Sequence, residues 1–458
     1  MALNQPTLQV RRVKGLLVGM AVLVPLIGSM YGFARLGNQA PVWPGQLADE
    51  PVRGSILARD GSMLAGGPVT NRLYPDALAA QIVGFSGKVQ PDGRYGLEGL
   101  EFTYDSLLQS GQDLQTTIDP YYQAIVQSHL EERAIAYGAE SANVVLLKVG
   151  TNEILASASW PSYNPNDRSG SRTEDFINRP FLFQYEPGSV VKPFVVAALL
   201  ESGRLQPDEL IPAEQYRRVG AQTFRETVWH EDELTPYDVL RYSSNTAMTH
   251  LTERFTPEEL YVWLNHFGFG QDLGMSSVYT RSGGMNHWSH WVPQDQASVT
   301  LGQGVSTTTL QLATLYSIFA NDGVLVSPRL LAGEEVAEPR RVLSAGTARE
   351  IRDMLTYTVE MSGLHNSAIP GMSLAGKTGT ADVFNAQQGA YVDGDYTLTF
   401  AGMFPAEDPE VVMVVSLMKP DGDVTATYMA APLFQAIATE VVATWNHAPP
   451  RNPLAHVQ

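Results

Sequence analysis

The sequence predicts an α+β fold with an antiparallel sheet and with helices in a separate stretch of the chain. Two β-prone segments, residues 143–149 and 153–159, are separated only by Gly150-Thr151-Asn152, which predicts a β-hairpin. Three more β-prone segments near the carboxyl end are joined by loops that contain Asp, Gly and Pro, at residues 373–381, 397–404 and 411–418. Hairpin-linked strands with helices grouped between them favour this fold over a doubly wound parallel sheet.

The amino terminus predicts a membrane anchor. The uncharged run at residues 15–34 is just long enough to span a bilayer as a helix, and three basic residues, Arg11, Arg12 and Lys14, precede it. This bias predicts a single-pass protein of the cytoplasmic (inner) membrane, with residues 1–14 in the cytoplasm and the rest of the chain outside, in the periplasm or its equivalent. A cleaved signal peptide is the alternative, but its apolar region is typically shorter.

Composition excludes several classes of protein. With 458 residues and 44% hydrophobic residues, the chain can bury a sizeable core and is not disordered. Thirty Lys and Arg against 48 Asp and Glu give a net charge of −18, which would repel nucleic acid, so we expect no nucleic-acid partner. The absence of cysteine excludes disulfide scaffolds, thiolate metal sites and a thiol nucleophile.

Residues 35–115 predict a short domain of small strands and loops. The segment is rich in Gly, Pro and turn dipeptides, and its apolar runs are short, as at residues 55–57 and 81–85. We therefore expect no large core within it.

A second, larger domain is expected over residues 116–447. Asp119 followed by Pro120 predicts a helix start. Apolar residues then recur at helical spacing, at Ile125, Val126, Leu130 and Ala134. Residues 431–446 predict a closing helix with one apolar side, formed by Leu433, Ile437, Ala438 and Val441. Residues 448–458 form a polar tail.

Ser189 and Lys192 are the first candidate chemical pair. Three residues apart on a helix, they lie on one face. Pro193 fits only if Ser189 stands at or near the amino terminus of that helix, where the positive end of the helix dipole lies near the serine oxygen. A lysine buried near another cation loses its proton more easily and can accept the proton of the serine. Alone, the pattern also fits a helix start with a solvated lysine.

A second motif, Ser243-Ser244-Asn245, follows a predicted helix at residues 236–242. It offers a hydroxyl and an amide two residues apart on a loop. Taken by itself it is a turn signal.

A third motif, Lys377-Thr378-Gly379-Thr380, lies within the predicted strand at residues 373–381. Strand alternation places the two threonine hydroxyls on one side and the lysine amine on the other. A glycine in a strand usually marks the close approach of another group.

The same segment offers a rival interpretation, because residues 371–378 match the GxxxxGK[ST] phosphate-binding loop. That loop needs a buried strand before it and a helix that begins at the lysine. Residues 366–370 are not a hydrophobic strand, and Gly379 disfavours a helix. We therefore disfavour nucleotide binding.

The remaining patterns predict neither a metal nor a cofactor. His287 and His290 flank Trp288 without a third ligand pattern, which favours packing or loop hydrogen bonds. The acidic stretch Glu231-Asp232-Glu233 predicts a solvated loop.

Taken together and in this order, the three motifs resemble those of penicillin-binding proteins and serine β-lactamases. Further segments resemble class B penicillin-binding proteins, most of all their division-specific (septal) branch, at residues 161–166, 178–179, 186–189, 267–270, 302–304 and 310–313. Residues 53–61 and 96–101 resemble that class's pedestal segments. The resemblance implies a penicillin-binding, β-lactamase-like transpeptidase domain, a short pedestal at residues 35–115 and one amino-terminal transmembrane helix.

The resemblance also implies catalytic roles. Ser189 would attack the penultimate D-alanine carbonyl of a peptidoglycan stem peptide, with Lys192 as its general base. Ser243 would relay a proton to the leaving amine, Asn245 would orient Lys192 and the substrate, and Lys377 would keep the local field positive.

Substrate binding is implied for the segment that follows the lysine. Thr378 and Thr380 would bind the terminal carboxylate of the substrate, with Gly379 between them. The backbone amides of Ser189 and Thr380 would form the oxyanion hole.

As partners the resemblance implies D-Ala-D-Ala stem peptides, β-lactams, a membrane glycosyltransferase of the septal machinery and other division proteins. Three departures, Ala58 in place of an acid, Thr309 in place of a proline and a pedestal zone much shorter than the family's, bear on the usual partner contacts and leave the acyl transfer untouched. The alternatives are an elongation-type transpeptidase, a D,D-carboxypeptidase or β-lactamase-like hydrolase, and a non-catalytic membrane scaffold or sensor.

Overall fold

A five-stranded sheet covered by helices on both faces dominates the computed structural model, which describes residues 52–362, 367–385, 390–422 and 425–445. The predicted cytoplasmic segment 1–14, transmembrane helix 15–34 and polar tail 448–458 lie outside the described residues. Within the described part of the chain, none of the helices has both the length and the apolar character of a membrane span.

The strands run along the chain in this order: β1 (Ile56–Leu57), β2 (Met63–Ala65), β3 (Phe85–Ser86), β4 (Gly96–Glu98), β5 (Leu114–Gln115), β6 (Ser141–Lys148), β7 (Ile154–Trp160), β8 (Ile211–Pro212), β9 (Tyr216–Val219), β10 (Gln222–Arg225), β11 (Glu233–Leu234), β12 (Gly284–Met285), β13 (Val305–Ser306), β14 (Val324–Leu325), β15 (Arg340–Arg341), β16 (Ala375–Asn385), β17 (Ala390–Phe404) and β18 (Val411–Met418).

The α-helices of the described residues are α1 (Ala80–Val83), α2 (Gly99–Thr103), α3 (Asp105–Gln109), α4 (Pro120–Ala136), α5 (Arg179–Leu182), α6 (Lys192–Glu201), α7 (Pro236–Tyr242), α8 (Asn245–Thr252), α9 (Pro257–Phe267), α10 (Pro293–Thr300), α11 (Thr309–Ala320), α12 (Ala345–Met361) and α13 (Ala430–Trp445).

The main sheet has the order β16-β17-β18-β6-β7, and each neighbouring pair is antiparallel. The predicted antiparallel α+β fold is therefore confirmed. The hairpin expected from residues 143–159 is the β6–β7 pair, and the strand expected at residues 411–418 is β18. The other two predicted strands are longer than expected, because β16 continues to Asn385 and β17 begins at Ala390.

Helices bury both faces of this sheet. Val144 and Leu146 of β6 belong to one hydrophobic core, which includes residues of α4 and α13. Val145 and Leu147 belong to the other core, which includes residues of α6 and α11. Because alternate side chains of a strand point to opposite faces, burial on both sides explains why the central strands read as unbroken apolar runs.

The predicted helix starts and apolar faces agree with the structure. The Asp119 carboxylate accepts hydrogen bonds from the backbone amides of Tyr121 and Tyr122, at 3.0 and 3.3 Å, and so caps α4. The apolar side chains predicted for α4 and α13 are buried: Ile125, Val126, Leu130, Ala134, Leu433, Ile437, Ala438 and Val441.

The amino-terminal part corrects one prediction. The run at residues 81–85, expected as a small strand, is mostly the single helical turn α1, followed by β3. All four residues of α1 are buried. The sequence therefore shows no alternation of apolar and polar residues that would distinguish a strand from a turn of helix. Ile56 and Leu64 of this part share a hydrophobic core with Val145 of the main sheet. The predicted domain boundary between residues 115 and 116 stays a prediction.

A buried ionic cluster holds this part together. The Glu101 carboxylate accepts hydrogen bonds from Arg53 Nε at 2.8 Å and from Arg72 Nε at 2.7 Å. Arg53 also donates to the Asp105 carboxylate at 2.8 Å. All four side chains are at most 3% exposed, so each charge depends on its partners for compensation.

Candidate active site

Ser189 lies where an irregular turn becomes a helix. Residues Gly188–Val191 form one turn of 3₁₀ helix, which leads directly into α6 with Pro193 near its start. The prediction that Ser189 stands at a helix amino terminus is confirmed. The backbone there is fixed by the geometry of Gly188, whose φ of +66° disfavours any residue with a side chain.

The three motifs meet at one cleft of about 720 Å³. Of the predicted site residues it is lined by Ser189, Ser243, Asn245, Lys377, Thr378 and Thr380. Gly379 is buried behind them in β16. Ser189 and Thr380, 191 positions apart in the sequence, thus share one surface. Ser189 itself is half-buried. Lys192 lies beneath it and reaches the same group of side chains.

The amine of Lys192 is buried and hydrogen-bonded. It donates to the Ser243 carbonyl at 2.5 Å, to Ser243 Oγ at 3.2 Å and to Asn245 Oδ1 at 2.8 Å. Burial, and then the positive charge of Lys377, lower the pKa of Lys192 well below its ordinary value, while the Glu226 carboxylate acts in the opposite direction. A neutral amine in this position can accept a proton near physiological pH.

Ser243 adopts a strained conformation that aims two of its oxygens at Lys192. Its φ of +55° and ψ of +38° are left-handed, in the single residue that separates α7 from the Ser244 cap of α8. Ser244 Oγ accepts a hydrogen bond from the Ala247 amide at 3.1 Å. Asn245 is held from its other side, since its Nδ2 donates to the Arg225 carbonyl at 2.9 Å.

Lys377 lies beside the two threonines on β16, the edge strand of the sheet. Its amine is expected on the opposite side of β16 from Thr378 and Thr380, and this stays a prediction, because a cleft at the edge of a sheet can be lined from both faces of the strand and all three residues line it. The four-carbon side chain is long enough for its ammonium to donate to the Thr378 carbonyl, at 3.1 Å. The residue is 1% exposed, and burial lowers its pKa to about 7.

β16 passes very close to the turn that carries Ser189. A Cβ placed on Gly379 would lie 2.5 Å from the Pro187 carbonyl oxygen and 3.1 Å from Val190 Cγ1. One placed on Gly188 would lie 2.7 Å from the Thr380 carbonyl oxygen. The expectation that Gly379 marks a close approach is confirmed, and the approach brings the backbone of Thr380 next to Ser189.

The rival phosphate-loop interpretation is wrong for this segment. Lys377 lies inside β16, paired with Ala401 of β17, and no helix begins at it. A phosphate-binding loop requires the lysine at a helix amino terminus, where free backbone amides surround the phosphate.

Sequence reasoning missed one acid beside the site. Glu226 follows β10 directly, and its side chain is only 1% exposed. It accepts hydrogen bonds from residues 244–246. No motif marks it. The nearby stretch Glu231-Asp232-Glu233 is exposed, as predicted, but Glu233 begins the short strand β11 and so does not lie in a loop.

Comparisons with known proteins agree with the geometry. The family described as the penicillin binding protein transpeptidase domain matches residues 142–439. Penicillin-binding protein PbpB of Mycolicibacterium smegmatis is 32% identical over 427 residues, which cover 82% of this chain and 65% of that protein. Probable peptidoglycan D,D-transpeptidase PbpC of Pseudomonas aeruginosa is 32% identical over 379 residues, covering 76% and 66%. The chain thus spans just under two thirds of the length of these two curated relatives.

A solved structure is also similar along almost its whole length. Penicillin binding protein 3 from Mycobacterium tuberculosis, complexed with aztreonam, superposes with a TM-score of 0.78 and 31% identity. The match covers 88% of this chain and 98% of that one.

Proposed function

Because the chain belongs to the penicillin-binding protein transpeptidase family, we propose that it is a peptidoglycan D,D-transpeptidase that works through a serine acyl-enzyme and is covalently inhibited by β-lactams. The observation that carries the proposal is the contact of the buried Lys192 amine with Ser243 Oγ and Asn245 Oδ1, in the cleft lined by Ser189. A low-pKa amine beside a serine at a helix start is what nucleophilic catalysis needs.

In the proposed acylation, Ser189 Oγ forms a bond to the penultimate D-alanine carbonyl carbon and gives its proton to neutral Lys192. The amide C–N bond then breaks, and Ser243 relays the proton from Lys192 to the departing D-alanine amine, which leaves the lysine neutral again. Asn245 orients Lys192 and the substrate, and Lys377 keeps the field positive where negative charge develops. A neighbouring stem peptide's amine then attacks the ester, which releases Ser189 and leaves a cross-link.

Thr378 and Thr380 are proposed to bind the terminal carboxylate of the substrate. The backbone amides of Ser189 and Thr380 are proposed to form the oxyanion hole. The close approach of Gly379 to the Ser189 turn supports this, because it brings the backbone of Thr380 next to that turn.

We further propose septal duty, a membrane anchor at residues 15–34 and a pedestal at residues 35–115. A membrane glycosyltransferase of the septal machinery and other division proteins are the proposed partners. These proposals rest on the resemblance of the motifs. Depletion of the protein in its host should cause filamentation, and rounding of the cells instead would favour an elongation-type enzyme.

Labelled penicillin tests the acyl-enzyme. The purified protein should form a stable covalent adduct, and Ser189→Ala should abolish it while the variant keeps the melting temperature of the wild type. Labelling that persists in Ser189→Ala would refute the assignment of the nucleophile. Absence of labelling in the folded wild-type protein would refute the enzyme class.

Reconstitution separates transfer from hydrolysis. Lipid-linked precursor polymerised by a glycosyltransferase should yield dimeric muropeptides when this protein is added. Trimmed monomers alone would identify a carboxypeptidase, since water rather than an amine would then resolve the acyl-enzyme.

A further inference from the structure

Glu226 binds the loop that presents Ser243 and Asn245 to Lys192. Its Oε1 accepts hydrogen bonds from Ser244 Oγ at 2.8 Å and from the backbone amide and hydroxyl of Thr246 at 2.6 and 2.7 Å. Its Oε2 lies 3.2 Å from the backbone amide of Asn245, which donates to it. One carboxylate therefore fixes three consecutive residues of the loop.

These contacts complete the start of α8. The first amides of a helix have no partner within the helix, and here Asn245 and Thr246 donate theirs to Glu226, while Ala247 donates to Ser244 Oγ. A negative charge at this end of the helix is also favoured by its dipole. The hydrogen bonds hold the pKa of Glu226 below its usual value although burial opposes this, so the carboxylate is ionised.

Glu226 reaches Lys192 through one residue. The backbone amide of Asn245 contacts the carboxylate, and the side-chain Oδ1 of Asn245 accepts from the Lys192 amine at 2.8 Å. Two buried groups of opposite charge act on Lys192: Lys377 lowers the pKa of its amine and Glu226 raises it. The remaining charged or titratable groups that line the cleft are Arg225, Arg241, Tyr242, Asp382 and Tyr396.

His230 faces Glu226 from the opposite direction. Its Nδ1 donates to the Glu231 carbonyl at 2.8 Å, because a carbonyl oxygen can only accept. Its Nε2 lies 3.2 Å from Glu226 Oε2, within ion-pair distance but without the angle of a hydrogen bond. Both side chains are at most 1% exposed, so water cannot replace these contacts.

We infer that Glu226 is a positioning residue for the acylation step: it fixes residues 244–246 so that Ser243 and Asn245 meet Lys192, and its negative charge acts on the amine of that lysine. The inference rests on the proposed function. It assigns a role in the reaction to an acid that belongs to none of the three motifs.

The experiment measures the second-order acylation rate of the full-length protein by a fluorescent penicillin, from pH 5 to pH 9. In the wild type the rate should rise with pH as Lys192 loses its proton. In Glu226→Gln the plateau should fall about 10-fold or more, because an amide cannot accept all the donors of the loop. The rising limb should also move about one pH unit lower, because the negative charge that favoured protonated Lys192 is gone.

Glu214→Gln is the matched control. Glu214 pairs with His250 of α8 at 2.9 Å, but its side chain is 42% exposed and it does not line the cleft. The control loses the same charge from a Glu–His pair whose histidine lies on the helix that Glu226 binds at its start. Its plateau rate should therefore stay within about twofold of the wild type. The pH of its rising limb should stay within about 0.2 pH units of the wild type.

A lower plateau with an unmoved limb in Glu226→Gln would show a structural role only and overturn the inference, as would an equal shift in Glu214→Gln. Should Glu226→Gln fail to fold, Glu226→Asp keeps the charge on a shorter side chain. Its plateau should fall while its limb stays at the wild-type pH, and a shifted limb there would overturn the inference. A wild-type protein that takes up no penicillin would instead refute the proposed function itself.

Discussion

Gly379→Ala should separate the two halves of the active site by a small, defined distance. The added Cβ would lie 2.5 Å from the Pro187 carbonyl oxygen, a separation that real Cβ atoms essentially never show, and 3.1 Å from Val190 Cγ1. The oxygen belongs to backbone two residues before Ser189, so it cannot swing aside like the end of a flexible side chain. Either β16 or the Ser189 turn must move.

The displacement can be worked out from these contacts. Restoring an ordinary van der Waals separation requires about 0.5–1 Å of movement. The shift falls between Ser189 on one side of the cleft and Thr378 and Thr380 on the other. A misplacement of about 1 Å can reduce a rate about 100-fold, which is equivalent to about 2.7 kcal/mol of activation free energy. Overpacking should also cost about 1–3 kcal/mol of folding stability.

The assay is the acylation rate with labelled penicillin, measured on protein that circular dichroism shows to be folded. Gly170→Ala is the matched control, because a Cβ at Gly170 meets no atom of the described residues within 4 Å, and it should acylate at the wild-type rate. A folded Gly379→Ala protein that acylates within about twofold of the wild type would refute the argument that this approach sets the geometry of the site.

Two further predictions concern buried charges. The unfolded chain keeps the Lys377 proton up to about pH 10, whereas the folded protein releases it near pH 7, so stability should rise with pH across this window by about 1.4 kcal/mol per unit. Urea unfolding at pH 7 and pH 9 should show this rise in the wild type, and in Lys377→Met the rise should be smaller by about 1.4 kcal/mol per pH unit, because Lys192, whose pKa is also lowered, still contributes. Parallel curves would contradict the prediction. Glu101→Gln should cost about 3 kcal/mol in the same assay at pH 7, because two buried guanidinium groups lose a shared carboxylate. A loss below about 1 kcal/mol would mean that Asp105 alone compensates both.

The central sheet was predictable because its strands are buried on both faces. Residues 411–418 are apolar at almost every position, and β18 has the predicted limits. The outer ends of β16 and β17 were not predictable in this way. Between Asp382 and Asn385 the two strands stay paired through backbone hydrogen bonds, which do not require apolar side chains. Hydrophobic pattern therefore marks where a strand is buried, not where its pairing ends.

The three motifs of the site could be predicted from the sequence, but the distances between their side chains could not. Ser243 lies 51 residues after Lys192, and nothing in their spacing brings the hydroxyl within 3.2 Å of the amine. That contact depends on the left-handed turn at Ser243, which a serine adopts only when its surroundings enforce it. Alternation along β16 likewise describes where each Cβ points and not how far a long side chain reaches, so it could not show that Lys377, Thr378 and Thr380 line one cleft.

Glu226 shows what distinguishes a functional acid from a solvated one. Glu231 and Glu233 stand a few residues away in the same chain segment and are exposed. In the sequence all three are loop glutamates, yet Glu226 alone of them is removed from water and surrounded by four hydrogen-bond donors of residues 244–246. Burying a carboxylate is unfavourable unless such donors and an opposite charge compensate it. The two buried lysines create the opposite problem, because burial disfavours the charged form of each and Lys377 further disfavours the charged form of Lys192. The ionised carboxylate of Glu226 meets both requirements. It accepts the hydrogen bonds of residues 244–246, and its negative charge limits how far the pKa of Lys192 falls.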